Sequence, residues 1–220
     1  MITKSLLSDV APVRWQTTST RTNIRIAVQK SGRLKDASMA LLSDRGIAPN
    51  QSDNDRALIV ACPGNIEIVF VRHSDIPNYV QSGAADFGIV GENVLYEQDS
   101  AVAVQEKLGF GACEVMVAAP DGSPIRQLAD LNGTRIATSY PNSLRKKLRD
   151  NDIDATIIQI GGAVEAAPAL GLADAICDVT QTGSTLKANG LRKIGTLLRS
   201  EAVIIAGDNV GPASFIWGAS

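Results

Sequence analysis

Short apolar runs alternate with segments of mixed polarity along most of the chain. The apolar runs have the length and the β-branched content of strands, and glycine, proline or polar residues bound them. They predict strands at residues 24–28, 66–71, 86–90, 115–119, 134–140, 157–160, 173–178 and 197–205.

Between these runs, several segments have the spacing of amphipathic helices. Residues 34–45, for example, place Leu34, Ala37, Leu41 and Leu42 on one face. Strands that alternate with helices of about 8 to 12 residues predict an α/β fold with largely parallel sheets. Further helices are predicted to begin at Asp75 and at Ser123-Pro124, and to cover residues 92–95, 142–150 and 163–170.

A break at residues 120–123 divides the chain into two cycles of strands and helices. The apolar segment beyond residue 195 is expected to cross back to the first cycle. The pattern therefore predicts two lobes with mainly parallel sheets and a cleft between them. Lobe I is predicted to comprise residues 24–119 and 195–220, and lobe II residues 120–194.

The first 23 residues differ in composition from the rest. Residues 1–23 are rich in serine and threonine, and they hold Lys4, Arg14 and Arg21 against the single acid Asp9. They lack the apolar centre of a secretory signal. We interpret them as a disordered leader, with an organelle transit peptide as the alternative.

Composition argues against several classes of function. The chain has 220 residues, a net charge of −2 and 4% aromatic residues. We therefore expect neither nucleic-acid binding nor a set of base-stacking rings. No apolar run approaches the roughly 20 residues that span a bilayer, so no membrane partner is expected. We expect a cytoplasmic protein.

Histidine and cysteine usage narrows the chemistry further. His73 is the only histidine, which argues against Ser-His-Asp and zinc mechanisms. The three cysteines, Cys62, Cys113 and Cys177, are far apart and have no metal-ligand spacing. We predict that they are reduced, buried and structural.

The segment 173–186 carries the strongest chemical signal. An apolar strand ends at Asp178, a turn rich in hydroxyl groups surrounds Gly183, and a helix is predicted to follow. N–H groups at a helix N-terminus favour an anion, and glycine lets the main chain approach it. A carboxylate repels phosphate, so Asp178 would bind sugar hydroxyls or Mg²⁺. We predict a ribose 5-phosphate site with hydroxyl donors from Thr182, Ser184 and Thr185.

The alternative for this segment is a capped turn with nothing bound, because serine, threonine and aspartate are common helix caps. A second candidate is the basic turn after the first strand, which contains Lys30, Gly32 and Arg33. Two cations beside a helix N-terminus suit a polyphosphate, although solvated loop cations are at least as common.

Two more side chains stand where predicted strands or turns end. Tyr140 ends a strand and would either flank a planar ring or pack in the core. Glu165 follows a glycine pair and would either accept a hydrogen bond from a ligand or act as a first-turn acid. Each signal alone is weak.

The order of the motifs is more specific than any one of them. KSGRL, DFGIVGENVL, LNGTRIATSYP, GGAVEAAPALGLADAICD and TGSTLKANGL follow one another within residues 24–205. This order resembles ATP phosphoribosyltransferase, the first enzyme of histidine biosynthesis. The resemblance implies two lobes like those of periplasmic binding proteins. It also implies condensation of ATP with 5-phosphoribosyl 1-pyrophosphate, with release of pyrophosphate and a requirement for Mg²⁺.

The resemblance also implies roles for individual residues. Arg33 and Asp178 would be catalytic: Arg33 would face the polyphosphate, and Asp178 would meet the ribose hydroxyls. Mg²⁺ would be held mainly by substrate phosphates and not by a protein metal site. The substrate-binding residues would be Lys30, Gly32, Tyr140, Glu165, Asp178, Thr180, Thr182, Gly183, Ser184 and Thr185.

The motifs look closer to the long type of this family, but residues 206–220 have no helical periodicity and no counterpart of its C-terminal regulatory domain. A truncation, a frameshift or a divergent terminus would each explain this. The resemblance implies a homo-oligomer or a complex with a regulatory partner subunit. The alternative function is a non-catalytic binder of a small phosphorylated ligand, or an inactive remnant.

Overall fold

The computed structural model of the chain describes residues 22–49, 56–208 and 210, which form two β-sheets with helices packed on them. The first sheet contains β1 (Ile24–Gln29), β2 (Ile59–Cys62), β3 (Ile66–Val71), β4 (Phe87–Gly91), β5 (Ala103–Lys107) and β11 (Ala202–Ala206). The second contains β6 (Cys113–Pro120), β7 (Arg135–Thr138), β8 (Thr156–Gln159), β9 (Ala175–Thr180) and β10 (Leu191–Ser200). The helices are α1 (Lys35–Asp44), α2 (Ile76–Gln81), α3 (Glu92–Gln98), α4 (Pro141–Arg149) and α5 (Ser184–Ala188).

The sheets are mixed, which corrects the prediction of mainly parallel sheets. The strand orders are β2-β3-β1-β4-β11-β5 and β10-β6-β9-β7-β8. Strand β1 pairs in parallel with β3 and β4, and β7 with β8 and β9. The other pairs of the described strands are antiparallel, because hairpin and returning strands fill the remaining positions. The two α/β lobes themselves are confirmed.

The lobe boundaries differ from the predicted ones at both crossings. Strand β6 and all of β10 belong to the second sheet, whereas the pattern assigned residues 113–119 and 195–200 to lobe I. The break at residues 120–123 is a turn that follows β6, and the change of lobe occurs earlier. Strand β11 returns to the first sheet, where it lies between β4 and β5. Residues 1–21 of the predicted leader and residues 211–220 lie outside the described part.

Two predicted helices do not form. After Ser123-Pro124 there is only a turn, in which the Ile125 N–H donates to Ser123 Oγ at 3.1 Å. A 3₁₀ turn follows at Leu128–Leu131. In place of the predicted helix at 163–170 there is a 3₁₀ turn, Val164–Ala166, and Pro168 lacks the N–H that a continuing helix requires.

The edge strands β2 and β5 were not predicted, and their residues are largely exposed. Ile59 in β2 is about half exposed, and so are Leu58 just before it and Val104 in β5. The sequence of β5 contains only two apolar residues, Ala103 and Val104, whereas residues 57–62 form an unbroken apolar run that does indicate β2. The central strands β4 and β11 are buried along their whole length, and their apolar runs were predicted as strands.

Both faces of the first sheet are covered. Ile26 and Val28 of β1 point into one apolar cluster, and Ala27 points into the other. At Gly88 of β4 a Cβ atom would lie 2.6 Å from Ile76 Cγ2, so a glycine allows α2 to pack directly on the sheet. No helix in the described part of the chain is long and apolar enough to cross a membrane.

Candidate active site

A cavity of about 260 Å³ lies between the lobes, at the carboxyl end of β9. Arg33 reaches it from lobe I, and Glu165 and the loop between β9 and α5 line it from lobe II. The structure therefore brings together predicted residues that are far apart in sequence. The lining residues are Arg33, Cys113, Met116, Glu165, Val179, Thr180, Gln181, Thr182, Ser184, Thr185 and Leu186.

The loop at residues 180–185, which we call the cradle loop, has the strand–turn–helix form that the sequence predicts. Gly183 donates its N–H to Thr180 Oγ1 at 3.1 Å, and its φ of +73° is in the left-handed region that favours glycine. Nothing lies within 4 Å of a Cβ built at this glycine, so φ and not crowding requires it. Thr182 Oγ1 and Ser184 Oγ are 3.0 Å apart, which places two hydroxyl groups at the start of α5.

Asp178 lies in β9 just before the cradle loop and is not among the described residues that line the cavity. Its Oδ1 accepts hydrogen bonds from Val179 N–H at 2.8 Å and from Ser139 Oγ at 3.2 Å. Burial raises the pKa of Asp178, and the negative charge of Glu165 raises it further. The two carboxylates therefore act on one another, and a cation or a hydroxyl-rich ligand between them would relieve the repulsion.

No three histidine, cysteine, aspartate or glutamate side chains converge into a metal-binding group within the described residues. Asp178 and Glu165 provide a pair of carboxylates. Mg²⁺ takes oxygen ligands and commonly keeps only one or two protein carboxylates beside substrate phosphates. The pair fits an ion that arrives with a phosphorylated substrate.

Arg33 is the only cation among the described residues that line the cavity. Its Nη1 donates to the carbonyl oxygen of Gly111, in the segment that connects β5 to β6. At Gly111 φ is +67°, and a Cβ atom would lie 2.2 Å from Leu34 Cδ2. A glycine here lets the turn before α1 pack against the connection between the lobes, and this packing directs Arg33 toward the cradle loop.

Lys30 and Gly32 are placed differently from Arg33. Lys30 is exposed, and the described lining residues of the cavity do not include it. Gly32 has a φ of +103°, and a Cβ atom there would lie 2.5 Å from Gln29 Nε2. The turn itself thus requires glycine at this position. A substrate contact for either residue remains a prediction.

Tyr140 is not among the described residues that line the cavity. Its hydroxyl accepts a hydrogen bond from Asn93 Nδ2 of lobe I at 2.9 Å. Burial, and then the negative charge of Asp178, raise the pKa of Tyr140 to about 12. Tyr140 is therefore a neutral phenol near Asp178 that contacts the opposite lobe.

The three cysteines are buried and free, as predicted. Burial raises the pKa of the Cys177 thiol to about 12, so it stays protonated. Cys113 lines the cavity, and sequence patterns missed this because an isolated cysteine in an apolar run has no distinguishing spacing. Gln181 in the turn and Met116 in an apolar run were also missed, because no spacing of their residue types indicates a ligand contact.

A second cavity of about 460 Å³ adjoins the first, and Cys113 and Gln181 line both. It extends along the connection between the lobes and contains charges of both signs, among them Lys107 and Arg199. Lys107 forms ion pairs with Glu92 at 2.9 Å and Glu201 at 3.5 Å. Because the two cavities share lining residues, the cleft continues beyond the cradle loop.

The only histidine of the chain, His73, forms a hydrogen bond with the end of β4. Its Nε2 accepts a hydrogen bond from Gly91 N–H at 3.2 Å. Burial, and then the positive charge of Arg33, lower the pKa of His73 to about 4 from an ordinary value of 6.5. The imidazole is therefore neutral at physiological pH and carries its proton on Nδ1.

The lowered pKa of His73 predicts a loss of stability on acidification. Between pH 6.5 and about 4 the unfolded chain binds a proton at His73 that the folded chain does not. From pH 7 to pH 5 this difference should lower the free energy of unfolding by about 2 kcal/mol. Urea denaturation at pH 7, 6 and 5 measures it. In His73→Gln, which keeps an acceptor for Gly91 N–H, this part of the pH dependence should disappear; an unchanged slope would contradict the assignment.

Comparisons with known proteins agree with this arrangement. A profile described as HisG, ATP phosphoribosyltransferase, matches residues 72–212. The ATP phosphoribosyltransferase of Cytophaga hutchinsonii is 45% identical over 185 residues, which are 84% of this chain and 64% of that protein. That of Maricaulis maris is 45% identical over 188 residues, 83% of this chain and 64% of the relative. The chain thus spans less than two thirds of the length of these relatives.

Solved structures extend the comparison to the fold. A chain of the ATP phosphoribosyl transferase (HisG:HisZ) complex from Thermotoga maritima superimposes with a TM-score of 0.73 at 28% identity, covering 87% of this chain and 89% of that one. The alkanesulfonate-binding protein SsuA from Xanthomonas axonopodis pv. citri shares the fold alone, with a TM-score of 0.54 at 20% identity over 89% of this chain and 68% of that one. The predicted likeness to periplasmic binding proteins is confirmed. By the match of the family profile over residues 72–212, the chain belongs to the ATP phosphoribosyltransferase family.

Proposed function

We propose that this chain condenses ATP with 5-phosphoribosyl 1-pyrophosphate to give N1-(5-phosphoribosyl)-ATP and pyrophosphate, the first step of L-histidine biosynthesis. One observation carries the proposal: in a member of this family, the cradle loop faces Arg33 across the cleft, with Asp178 in the strand just before it. This arrangement offers separate places for a phosphate, a sugar and a second anionic group.

In the proposed complex the 5-phosphate lies in the cradle loop. Backbone N–H groups and hydroxyl groups at the start of α5 would donate to its oxygens. Asp178 and Glu165 would accept hydrogen bonds from the ribose hydroxyls, and Arg33 would bind the pyrophosphate from the other lobe. The residues around the 5-phosphate would be Thr180, Thr182, Gly183, Ser184 and Thr185.

The nucleotide would occupy the rest of the cleft. A cavity of about 260 Å³ suits a ribose phosphate but not both substrates together. The adjoining cavity of about 460 Å³ leaves room for part of ATP, and Arg199 supplies a cation there, while Lys107 is paired with Glu92 and Glu201. Lys30, Gly32 and Tyr140 are proposed to contribute around this space, Tyr140 through its position beside Asp178.

The reaction forms a bond from N1 of adenine to C1 of the ribose as the bond from C1 to the pyrophosphate oxygen breaks. The electron pair of that bond leaves with pyrophosphate, and the ribose carries positive charge in the transition state. Arg33 would stabilise the growing charge on pyrophosphate, and the Asp178 carboxylate would stabilise the ribose. N1 has a free electron pair, so no base is needed before the attack, and positioning supplies much of the rate.

Mg²⁺, held mainly by the substrate phosphates with Asp178 and Glu165 as available oxygen ligands, would neutralise charge on the leaving group when bound. We further propose a cytoplasmic enzyme that acts as a homo-oligomer or with a regulatory partner subunit. Support for the partner comes from the Thermotoga maritima structure, whose name records a HisG:HisZ complex.

The experiment that tests the proposed function mixes the purified protein with Mg²⁺, ATP and 5-phosphoribosyl 1-pyrophosphate. We expect pyrophosphate release that requires both substrates, together with a product of the mass of phosphoribosyl-ATP. A parallel reaction contains a candidate partner subunit. If neither reaction releases pyrophosphate while calorimetry shows ligand binding, the chain is a non-catalytic binder and the proposal is wrong.

A further inference from the structure

Helix α3 of lobe I contacts the N-terminus of α4 in lobe II through one carboxylate. The two oxygens of the Glu97 side chain accept hydrogen bonds from the backbone N–H groups of Asn142 at 2.9 Å and Ser143 at 2.8 Å. The Asn142 side chain donates in turn to the Glu97 carbonyl oxygen at 3.0 Å. Three hydrogen bonds thus join the two lobes at this point.

The cap that Glu97 provides is unusual because it comes from the other lobe. Helix α4 has no side-chain cap of its own at the N-cap residue, Tyr140. A carboxylate on the first N–H groups of a helix forms charge-assisted hydrogen bonds and also complements the helix dipole. Separation of the lobes would remove this cap and leave those N–H groups to water. Glu97 therefore favours the closed arrangement of the lobes.

Asn93 makes a second contact one helical turn earlier on the same face of α3. It donates from Nδ2 to the Tyr140 hydroxyl at 2.9 Å, and its Oδ1 accepts from Ser200 Oγ at 2.9 Å. Its backbone N–H donates to the same Ser200 Oγ at 3.0 Å. Asn93 is 1% exposed and Ser200 is 5% exposed, so these hydrogen bonds form away from water. We call Asn93, Glu97, Tyr140 and Ser200, with the first turn of α4, the clasp.

The clasp is connected to the cavity by a short segment of the second lobe. Ser139, the residue before Tyr140, donates to Asp178 at 3.2 Å, and Tyr140 N–H donates to Thr138 Oγ1 at 2.8 Å. Arg33 and the cradle loop, by contrast, face each other from different lobes. A ligand that contacts both of them requires the lobe spacing that the clasp favours.

We propose that Asn93 and Glu97 are positioning residues that hold the lobes closed, so that ligands reaching both lobes bind more tightly than ligands confined to the cradle loop. The inference rests on the proposed function only in its choice of ligands. 5-Phosphoribosyl 1-pyrophosphate reaches from the cradle loop to Arg33, whereas ribose 5-phosphate lacks the pyrophosphate and contacts lobe II alone. Loss of the clasp lowers the fraction of closed molecules, which weakens binding of the first ligand in proportion.

The test compares Glu97→Gln and Asn93→Ala with the wild-type protein by calorimetry. We expect the Kd of 5-phosphoribosyl 1-pyrophosphate to rise about 10-fold, which corresponds to a fall of the closed fraction to about one tenth of its wild-type value. The Kd of ribose 5-phosphate should change less than about twofold. Glu106→Gln is the matched control, since Glu106 pairs with Arg45 at 2.8 Å within lobe I. Equal weakening of both ligands, or an effect no larger than that of Glu106→Gln, would overturn the inference.

A second measurement does not depend on the substrates. Hydrogen exchange followed by mass spectrometry should show faster exchange in peptides covering Pro141–Arg149 of Glu97→Gln, while Glu106→Gln exchanges like the wild type. Small-angle scattering should show a larger radius of gyration for Glu97→Gln. If the wild type binds no 5-phosphoribosyl 1-pyrophosphate, the proposed function fails. Hydrogen exchange and scattering then still test whether the clasp holds the lobes closed. Unchanged exchange and an unchanged radius would exclude it.

Discussion

Replacement of Arg33 by alanine should lower kcat for pyrophosphate release about 100-fold or more, because removal of one preorganised donor to a developing anion has effects of that order. Arg33 is the only cation among the described residues that line the cavity beside the cradle loop, and its hydrogen bond to the Gly111 carbonyl directs it there. The variant loses the group that would stabilise pyrophosphate as it leaves. Steady-state kinetics with both substrates near saturation measure the change.

Two further variants show whether the geometry of Arg33 matters as well as its charge. Arg33→Lys keeps the charge but loses the planar fork that can bind Gly111 and a phosphate together, so its kcat should lie between those of wild type and Arg33→Ala. Lys35→Ala removes a cation two residues away that the described lining residues do not include, and it should have little effect. If Arg33→Ala is no slower than Lys35→Ala, the assignment of Arg33 is wrong.

Asp178→Asn should weaken binding of 5-phosphoribosyl 1-pyrophosphate about 10- to 100-fold, since hydrogen bonds to a charged group contribute about 1.5–3 kcal/mol. The amide oxygen can still accept from Val179 and Ser139, so the local backbone should be retained. Thr182→Val keeps the side-chain shape but removes the hydroxyl that bonds Ser184, and should weaken binding about 5- to 10-fold. In both variants the Kd of ATP should change much less. Calorimetry with each substrate separately measures the contrast.

The same substitution far from the cleft provides a control. Thr134→Val removes a hydroxyl that donates to Leu131 at 2.6 Å, and it should leave both affinities unchanged. Because burial raises the pKa of Asp178, wild-type affinity for 5-phosphoribosyl 1-pyrophosphate should begin to fall on acidification at a higher pH than for an ordinary carboxylate. Asp178→Asn should lack this dependence. Equal losses for ATP and 5-phosphoribosyl 1-pyrophosphate would place Asp178 and Thr182 outside the ribose phosphate site.

Local signals predicted the cradle loop well because all its determinants are contiguous. Asp178 at the end of a strand, Gly183 in a left-handed conformation and a helix start at Ser184 are properties of neighbouring residues. The same local method failed at residues 163–170, where the apolar spacing suggested a helix. There Pro168 removes an N–H, and Ala163 adopts a φ of +51°.

Long-range features were not predictable from local patterns. Lys30 and Arg33 are close in sequence, yet only Arg33 is among the described lining residues, because its direction depends on the carbonyl of Gly111 in a distant segment. The partner of the Tyr140 hydroxyl, Asn93, belongs to α3 in the other lobe, and Asn93 is itself held by Ser200 of β10. The sequence shows that His73 is the only histidine, but no spacing of residues predicts its hydrogen bond with Gly91.

The amino-acid sequence by itself determined the alternation of strands and helices, the two lobes, the cradle loop and the family resemblance, because each depends on short-range periodicity or on motifs in order. Only the tertiary structure decided that the sheets are mixed, that β6 and β10 belong to the second lobe, and that Arg33 faces the cradle loop. It also decided that Asn93 and Glu97 join the lobes. The physical reason is that strand pairing and side-chain direction depend on contacts between residues far apart in the chain, which no local pattern encodes.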